Sequence, residues 1–370
     1  TSCALKKMVE TFHADKDAQI LLLSYTNRAV DEICKSLASI APAVDFIRVG
    51  SELSCDEAYR EHLIENELSS CNRRSEVYER IRSCRIIVGT VAAISGKPEL
   101  FRLKHFDVAI IDEATQILEP QLLGILCARG EDGKNAIDKF VLIGDHKQLP
   151  AVVQQNTEQS AIYDESLLSI GLSNLKDSLF ERLYRNCTAA CSSSAIHRSY
   201  DMLCRQGRMH PEVALFANRT FYGGRLIPVG LPHQIEDSDT ICRLAFYPSV
   251  PEKAGASAIY EHHQSDFDES RTLGIITPYR SQIALIKKEI ESVGIPVLNR
   301  ILVDTVERFQ GSERDVIIYS FCVNHPYQLK FLSNLTEEEG VLIDRKLNVA
   351  LTRARKQMFI TGVPELLERN

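Results

Sequence analysis

Short unbroken apolar runs recur along the chain, each closed by a polar turn and followed by a helical pattern. QILLLSY (19–25), RIIVGT (85–90), FDVAIIDEA (106–114) and KFVLIGD (139–145) form one set. LGIITPY (273–279), ILVDTV (301–306), DVIIYSF (315–321) and QMFITG (357–362) form another. Continuous Ile, Leu and Val without apolar–polar alternation predicts strands covered on both faces. Strands alternating with helices predict an α/β chain with two parallel, doubly wound sheets. Between the sets, NCTAACSSSAIHRS (186–199) is small, polar and aperiodic, which places the domain junction there. Residues 51–83, with EAYREHLIENEL, are charged and helical in pattern and read as an insertion into the first domain.

Composition refines this picture without overturning it. At 370 residues the chain is long for one core, so two domains are expected. No apolar run approaches the roughly 18 residues of a membrane span, and no signal peptide is visible. The net charge of −7 excludes an overall basic surface for nucleic acid but leaves room for a local basic groove. The 11 cysteines are scattered, and an odd number without a secretory signal predicts reduced thiols and a cytoplasmic setting. Cys187, Cys191 and Cys204 with His197 and His210 form the densest group. It lacks a tight C-x-x-C, and free cysteine more often packs as a small hydrophobe than binds zinc.

In open α/β sheets ligands bind beyond the carboxyl ends of the strands. Here those ends carry the chemistry. Asp112 and Glu113 close one run. They read as a magnesium-holding carboxylate and a residue that orients or deprotonates an attacking water, or simply as acids favoured at a helix start. VLIGDHKQLP (141–150) ends with Gln148, which can bond a γ-phosphate and a water, or can belong to a polar loop. RKLNVALTRARKQMFITG (345–362) offers Arg353 to stabilise transition-state charge, with Arg355 as a structural or surface residue. RQGRMHP (205–211) offers Arg208 for the same task. In VERFQGSERDVII (306–318), Gly311 lets backbone approach a ligand, and Glu313 can accept a ribose hydroxyl.

Taken in order, DEAT, GDHKQLP, QGRMHP, TPYRSQ, VERFQGSERD and LNVALTRAR resemble the motifs of superfamily 1B helicases. The branch is that of the up-frameshift RNA helicase and the DNA-replication nuclease-helicase, and SYTNRAVDEI (24–33) leans to the latter. The resemblance runs from Thr1 to about Gly362. It implies two tandem RecA-like domains of the P-loop NTPase type, 1–190 and 198–370, with ATP and magnesium between them. It implies an ATP-dependent helicase or translocase moving 5′ to 3′ on single-stranded nucleic acid, DNA favoured over RNA. In that reading Thr1 and Asp112 hold the magnesium, and Gly311 and Glu313 contact the nucleotide. Glu113, Gln148, Arg208 and Arg353 are catalytic. Asp112, Glu113 and Gln148 are assigned to the first domain. Ser24, Thr26, Asn27, Thr90, Thr277 and Thr305 match strand-contact positions, where hydroxyls and amides grip phosphates without reading bases.

No G-x-x-x-x-G-K-[ST] phosphate loop occurs in these residues. TSCALKKMVETF resembles the helix that follows that loop, so the chain is expected to start inside the Walker A motif and to bind ATP poorly as it stands. The resemblance leaves room for a nuclease or accessory domain upstream without requiring one. The family's adenine-stacking tyrosine is replaced by Gly207, which puts base selectivity in question. Residues 250–270 read as short for the helix expected there, as if residues were omitted. Alternatives are an RNA helicase of the same branch, a nucleic-acid-binding module that has lost catalysis, and an unrelated signalling ATPase. The last is disfavoured by the arginine-bearing second domain.

Overall fold

The computed structural model describes residues 2–189, 199–236, 251–338 and 340–369. Thr1, Cys191 and His197 lie outside the described residues, as does most of the expected junction. The chain divides into two compact units, Thr1–His146 with Pro150–Asp201, and Lys147–Leu149 with Met202–Asn370.

In the first unit, five parallel strands form one sheet. They are β1 (Ile20–Ser24), β2 (Phe46–Val49), β3 (Ile86–Thr90), β4 (Phe106–Ile111) and β5 (Ile137–Leu142), in the order β2-β3-β1-β4-β5. Their apolar runs are continuous because both faces are covered, and the period of two divides each run between two cores. Leu21, Leu23, Ile47, Val49, Ile87, Ala109 and Ile111 face one side. Ile20, Leu22, Phe46, Ile86, Val88, Val108 and Ile110 face the other, under helices Ser2–His13 and Asn27–Ala38. Apart from Ala109, each is a large side chain almost fully removed from water, a contribution of roughly 1.5–3 kcal/mol apiece before conformational entropy is subtracted.

The charged stretch between β2 and β3 is helical, with turns at Glu57–His62 and Ile64–Glu67 and a helix at Arg74–Ser83. Ile64 and Ile81 reach the core. Arg48 ties this stretch to the sheet. Only 1% exposed, it pairs with Asp31 and donates to the Ser54 carbonyl at 3.3 Å.

In the second unit a short parallel pair, β6 (Arg205–Gln206) and β7 (Ile227–Pro228), precedes the main sheet. That sheet contains β8 (Leu273–Ile276), β9 (Leu302–Asp304), β10 (Arg314–Ser320) and, after the hairpin β11 (Leu335–Glu338) and β12 (Val341–Asp344), β13 (Ala354–Thr361). Its strands are parallel in the order β13-β10-β8-β9. Leu273, Ile275, Val303, Val316 and Ile318 pack on one face, and Ile276, Ile317 and Tyr319 on the other. Gly274 is required for space: a Cβ there would stand 2.7 Å from the buried Phe309 ring.

The α/β fold with parallel sheets is thus as the apolar pattern predicts, and all eight runs are strands. Two expectations need correction. Residues 251–263 form a helix of 13 residues, so the stretch that reads as short does carry one. Gln148, assigned to the first domain from its place in the motif, groups with the second unit. The reason is local: Lys147 donates to the Phe221 carbonyl at 2.9 Å and Asn348 donates to the Lys147 carbonyl at 2.8 Å. Leu149 is buried in the core of that unit.

Candidate active site

The carboxyl edge of the first sheet is set by backbone pairing. The Asp112 amide donates to Leu23 at 2.8 Å and the Ala114 amide to Ile143 at 2.8 Å. The turn between them is therefore fixed on both sides. Glu113 adopts the left-handed conformation, φ 53° and ψ 36°, which costs a non-glycine residue about 1–2 kcal/mol. Such strain persists where surrounding bonds over-determine it, and it gathers at functional sites. Its carboxylate accepts from the Gln116 amide at 2.8 Å. Gly144 lets the following loop close on the turn, since a Cβ there would meet Thr115 Cγ2 at 2.9 Å.

Asp112 is half-buried, and its carboxyl is pushed up to about 6 by burial and by the adjacent charge of Glu113. It makes no ion pair among the described residues. A carboxylate oxygen held where its negative charge is disfavoured and unpaired suits a hard divalent cation such as magnesium.

Four candidate strand-contact residues lie at this same edge, among them the half-buried Asn27, which begins the helix Asn27–Ala38. Ser24 and Thr90 are register partners at the ends of β1 and β3. Ser24 is fully buried, its hydroxyl donating to the Asp112 carbonyl at 3.3 Å. Thr26 is exposed and caps the helix Asn27–Ala38, accepting from the Ala29 amide at 3.2 Å. Thr90 accepts from the Ala93 amide at 3.1 Å.

In the second unit, ion pairs gather round Glu313. Arg208 Nε lies 2.7 Å from its carboxylate and Arg355 Nε 3.6 Å. Arg355 also pairs with Asp315 at 2.7 Å. The cations beside it hold the Glu313 carboxyl below its ordinary value against the opposing effect of burial. Gly311, with φ 74°, turns the chain just before this group.

Arg353 is buried, 2% exposed. It donates to Val349 O at 2.8 Å, Thr352 Oγ1 at 3.0 Å, Ser312 O at 3.4 Å and Gln148 Oε1 at 3.4 Å. The unit therefore brings together Gln148 with Arg353, and Arg208 with Glu313. Thr277 is fully buried, its hydroxyl 3.3 Å from Cys322 Sγ, whereas Thr305 is half-buried and precedes the helix Val306–Phe309 without a side-chain cap bond. A cavity of about 1200 Å³ in this unit is lined by apolar side chains such as Phe216, Phe321, Leu347 and Met358, and none of the candidate residues lines it.

Sequence reasoning did not single out Asn348. It is fully buried and donates both to Lys147 O and to the Tyr222 hydroxyl at 2.9 Å. An asparagine in the otherwise apolar stretch LNVAL is the signal that could have found it. For the cysteine–histidine group the described members show other roles: His210 caps a helix, accepting from Glu212, and its Nε2 sits 3.1 Å from Glu236 O. The described cysteines are free. Burial pushes the Cys34 thiol up to about 12 and Cys84 up to about 11, as expected of packing residues.

Profiles described as AAA domain match residues 65–156 and 175–365. The chain is 30% identical, over 99% of its length, to the Gallus gallus "DNA replication ATP-dependent helicase/nuclease DNA2", of which it covers 33%. It is 28% identical, over 96% of its length, to the Arabidopsis thaliana "DNA replication ATP-dependent helicase/nuclease JHS1", of which it covers 26%. It is 25% identical, over 95% of its length, to the Saccharomyces cerevisiae "DNA polymerase alpha-associated DNA helicase A", covering 59% of that protein. The chain thus spans about a third of the length of the first of these relatives. An arterivirus helicase solved with DNA aligns with 98% of this chain and 57% of its own at 13% identity and a TM-score of 0.47, a likeness too slight to bear on fold or function.

Proposed function

Because this chain belongs to the AAA-domain family of superfamily 1 helicases, in the branch that holds the up-frameshift RNA helicase and the DNA-replication helicase/nuclease, we propose that it is an ATP-dependent motor on single-stranded nucleic acid. DNA is the favoured track, and the direction is 5′ to 3′. The observation that carries the chemical part is the strained, doubly anchored turn at the end of β4, which presents Asp112 and Glu113 together.

Asp112 would hold magnesium through its waters, and the bound ion would supply charge neutralisation at the phosphates. Glu113, its carboxylate steadied by Gln116, orients the attacking water and takes its proton. Gln148 and Arg353 form a hydrogen-bonded pair that can respond together to a γ-phosphate, Arg353 by spreading transition-state charge. Arg208 and Glu313 form a second pair, which suits a switch between internal pairing and nucleotide contact. Thr26, Asn27 and Thr305, exposed or half-buried, are the accessible strand contacts, whereas Ser24, Thr90 and Thr277 are buried hydroxyls at the same strand ends.

The test is ATP hydrolysis by the full-length protein, with and without single-stranded DNA or RNA. Stimulation by DNA supports a DNA motor, and stimulation by RNA alone moves the assignment to RNA. Glu113→Gln should lower turnover by about 100-fold or more while ATP binding persists. Hydrolysis at the unaltered rate in that variant would remove Glu113 from the mechanism.

A further inference from the structure

We propose a second metal site, for a zinc-class divalent ion, at the amino-terminal end of the first sheet, formed by His105, Asp107 and Asp138. One ligand atom from each of these residues lies within 4.8 Å of the others. His105 Nε2 stands 3.1 Å from the Asp138 carboxylate.

The placement follows from the sheet itself. Phe106 and Val108 on β4 are in register with Ile137 and Lys139 on β5, so Asp107 lies beside Asp138. His105 is two residues before Asp107, and the period of two brings it to the same face. Asp107 is held in place by the Gln19 amide, which donates to its Oδ2 at 2.7 Å. Two carboxylates side by side across a strand pair repel one another, and a divalent cation between them turns that repulsion into coordination.

The donor set selects the ion. An imidazole nitrogen with two carboxylate oxygens suits zinc or a similar transition ion, with solvent completing the shell. Magnesium prefers oxygen alone and a more complete octahedron. His105 and Asp138 are each about half exposed, at 50% and 53%, so an ion can enter and leave. Asp107 and Asp112 sit at opposite ends of β4, five residues or about 16 Å apart, so this site is separate from the nucleotide chemistry. A bound ion would tie the start of the edge strand β5 to β4.

The experiment is calorimetric titration of the reduced, chelator-stripped protein with zinc chloride, paired with cobalt(II) absorption spectra. Expected are one ion per chain, a cobalt spectrum without strong thiolate charge-transfer bands, and at least tenfold weaker binding in both His105→Gln and Asp138→Asn. Both side chains are exposed enough for these variants to fold, which their unchanged melting in chelator would verify. No uptake of zinc at 100-fold excess over about micromolar concentrations would overturn the proposal. Binding unaltered in both variants, with thiolate bands in the cobalt spectrum, would overturn it too, by placing the ion on cysteines.

Discussion

Replacing Glu113 by glycine and, separately, by alanine isolates the backbone strain at the candidate site. Both variants remove the carboxylate, its hydrogen bond from Gln116 and its repulsion of Asp112. They differ in what a Cβ costs at φ 53° and in the freedom of the unfolded chain. Left-handed backbone costs a residue with a Cβ about 1–2 kcal/mol. Glycine returns about 0.5–1 kcal/mol of that through its larger freedom in the unfolded chain. The glycine variant should therefore be the more stable, by up to about 1.5 kcal/mol, the reverse of the order in a helix or strand. In a unit of this size that is a difference of up to about 6 °C in melting temperature. Calorimetry gives the melting order. Because the chain has two units and need not unfold in one step, amide hydrogen exchange in β1 and β4 localises the effect to the first sheet. An alanine variant more stable than the glycine one would show that the turn is not held left-handed and would remove the strain argument. Both variants should lose ATP turnover.

Three further outcomes are expected. Asp31→Asn leaves the buried Arg48 guanidinium without its carboxylate partner and should destabilise the first unit by about 3–5 kcal/mol, read from urea unfolding; a loss under 1 kcal/mol would mean that Arg48 finds other compensation. Gly274→Ala drives a methyl group against Phe309 and Arg314 and should cost about 1–3 kcal/mol, with increased exchange in β8 and β10 but not in β1. Lys104 is 5% exposed and donates to Gln19 Oε1, Cys84 O at 2.7 Å and Arg82 O at 3.1 Å, and burial lowers it to about 8 from 10.5. Between these values the unfolded chain binds more protons than the folded one. Stability should thus rise as pH goes from 8 to 10.5, by at most about 3 kcal/mol from this group, and is lost again as pH falls through 8. Lys104→Met should flatten that rise, and an unchanged pH slope would contradict the assignment.

The sequence by itself determined the parallel α/β architecture. A run such as ILLLS can be satisfied only when both faces are covered, and its alternate residues then divide between two cores. It also named Asp112 and Glu113, because acids ending such a run emerge at the carboxyl edge wherever the strand lies in the sheet. β2 escaped the pattern, since FIRV is short and carries an arginine, and only the tertiary structure supplies Asp31 to bury that charge. The hairpin β11–β12 escaped as well: LTEE and VLID are short, Leu335, Val341 and Leu342 are exposed, and only Ile343 is buried, too little for periodicity to detect. The left-handed turn at Glu113 is invisible to composition, because it is imposed by hydrogen bonds to Leu23 and Ile143, residues distant in sequence. The same holds for Gln148. Its motif follows β5 in the chain, yet Lys147, Asn348 and Phe221 draw it into the second unit. His105, Asp107 and Asp138 meet for a related reason: residues two apart share a face in any strand, but only the pairing of β4 with β5 brings the third ligand beside them. Local chemistry and periodicity are written residue by residue, whereas register, strand order and the partner of a buried charge depend on which distant segments the fold makes neighbours.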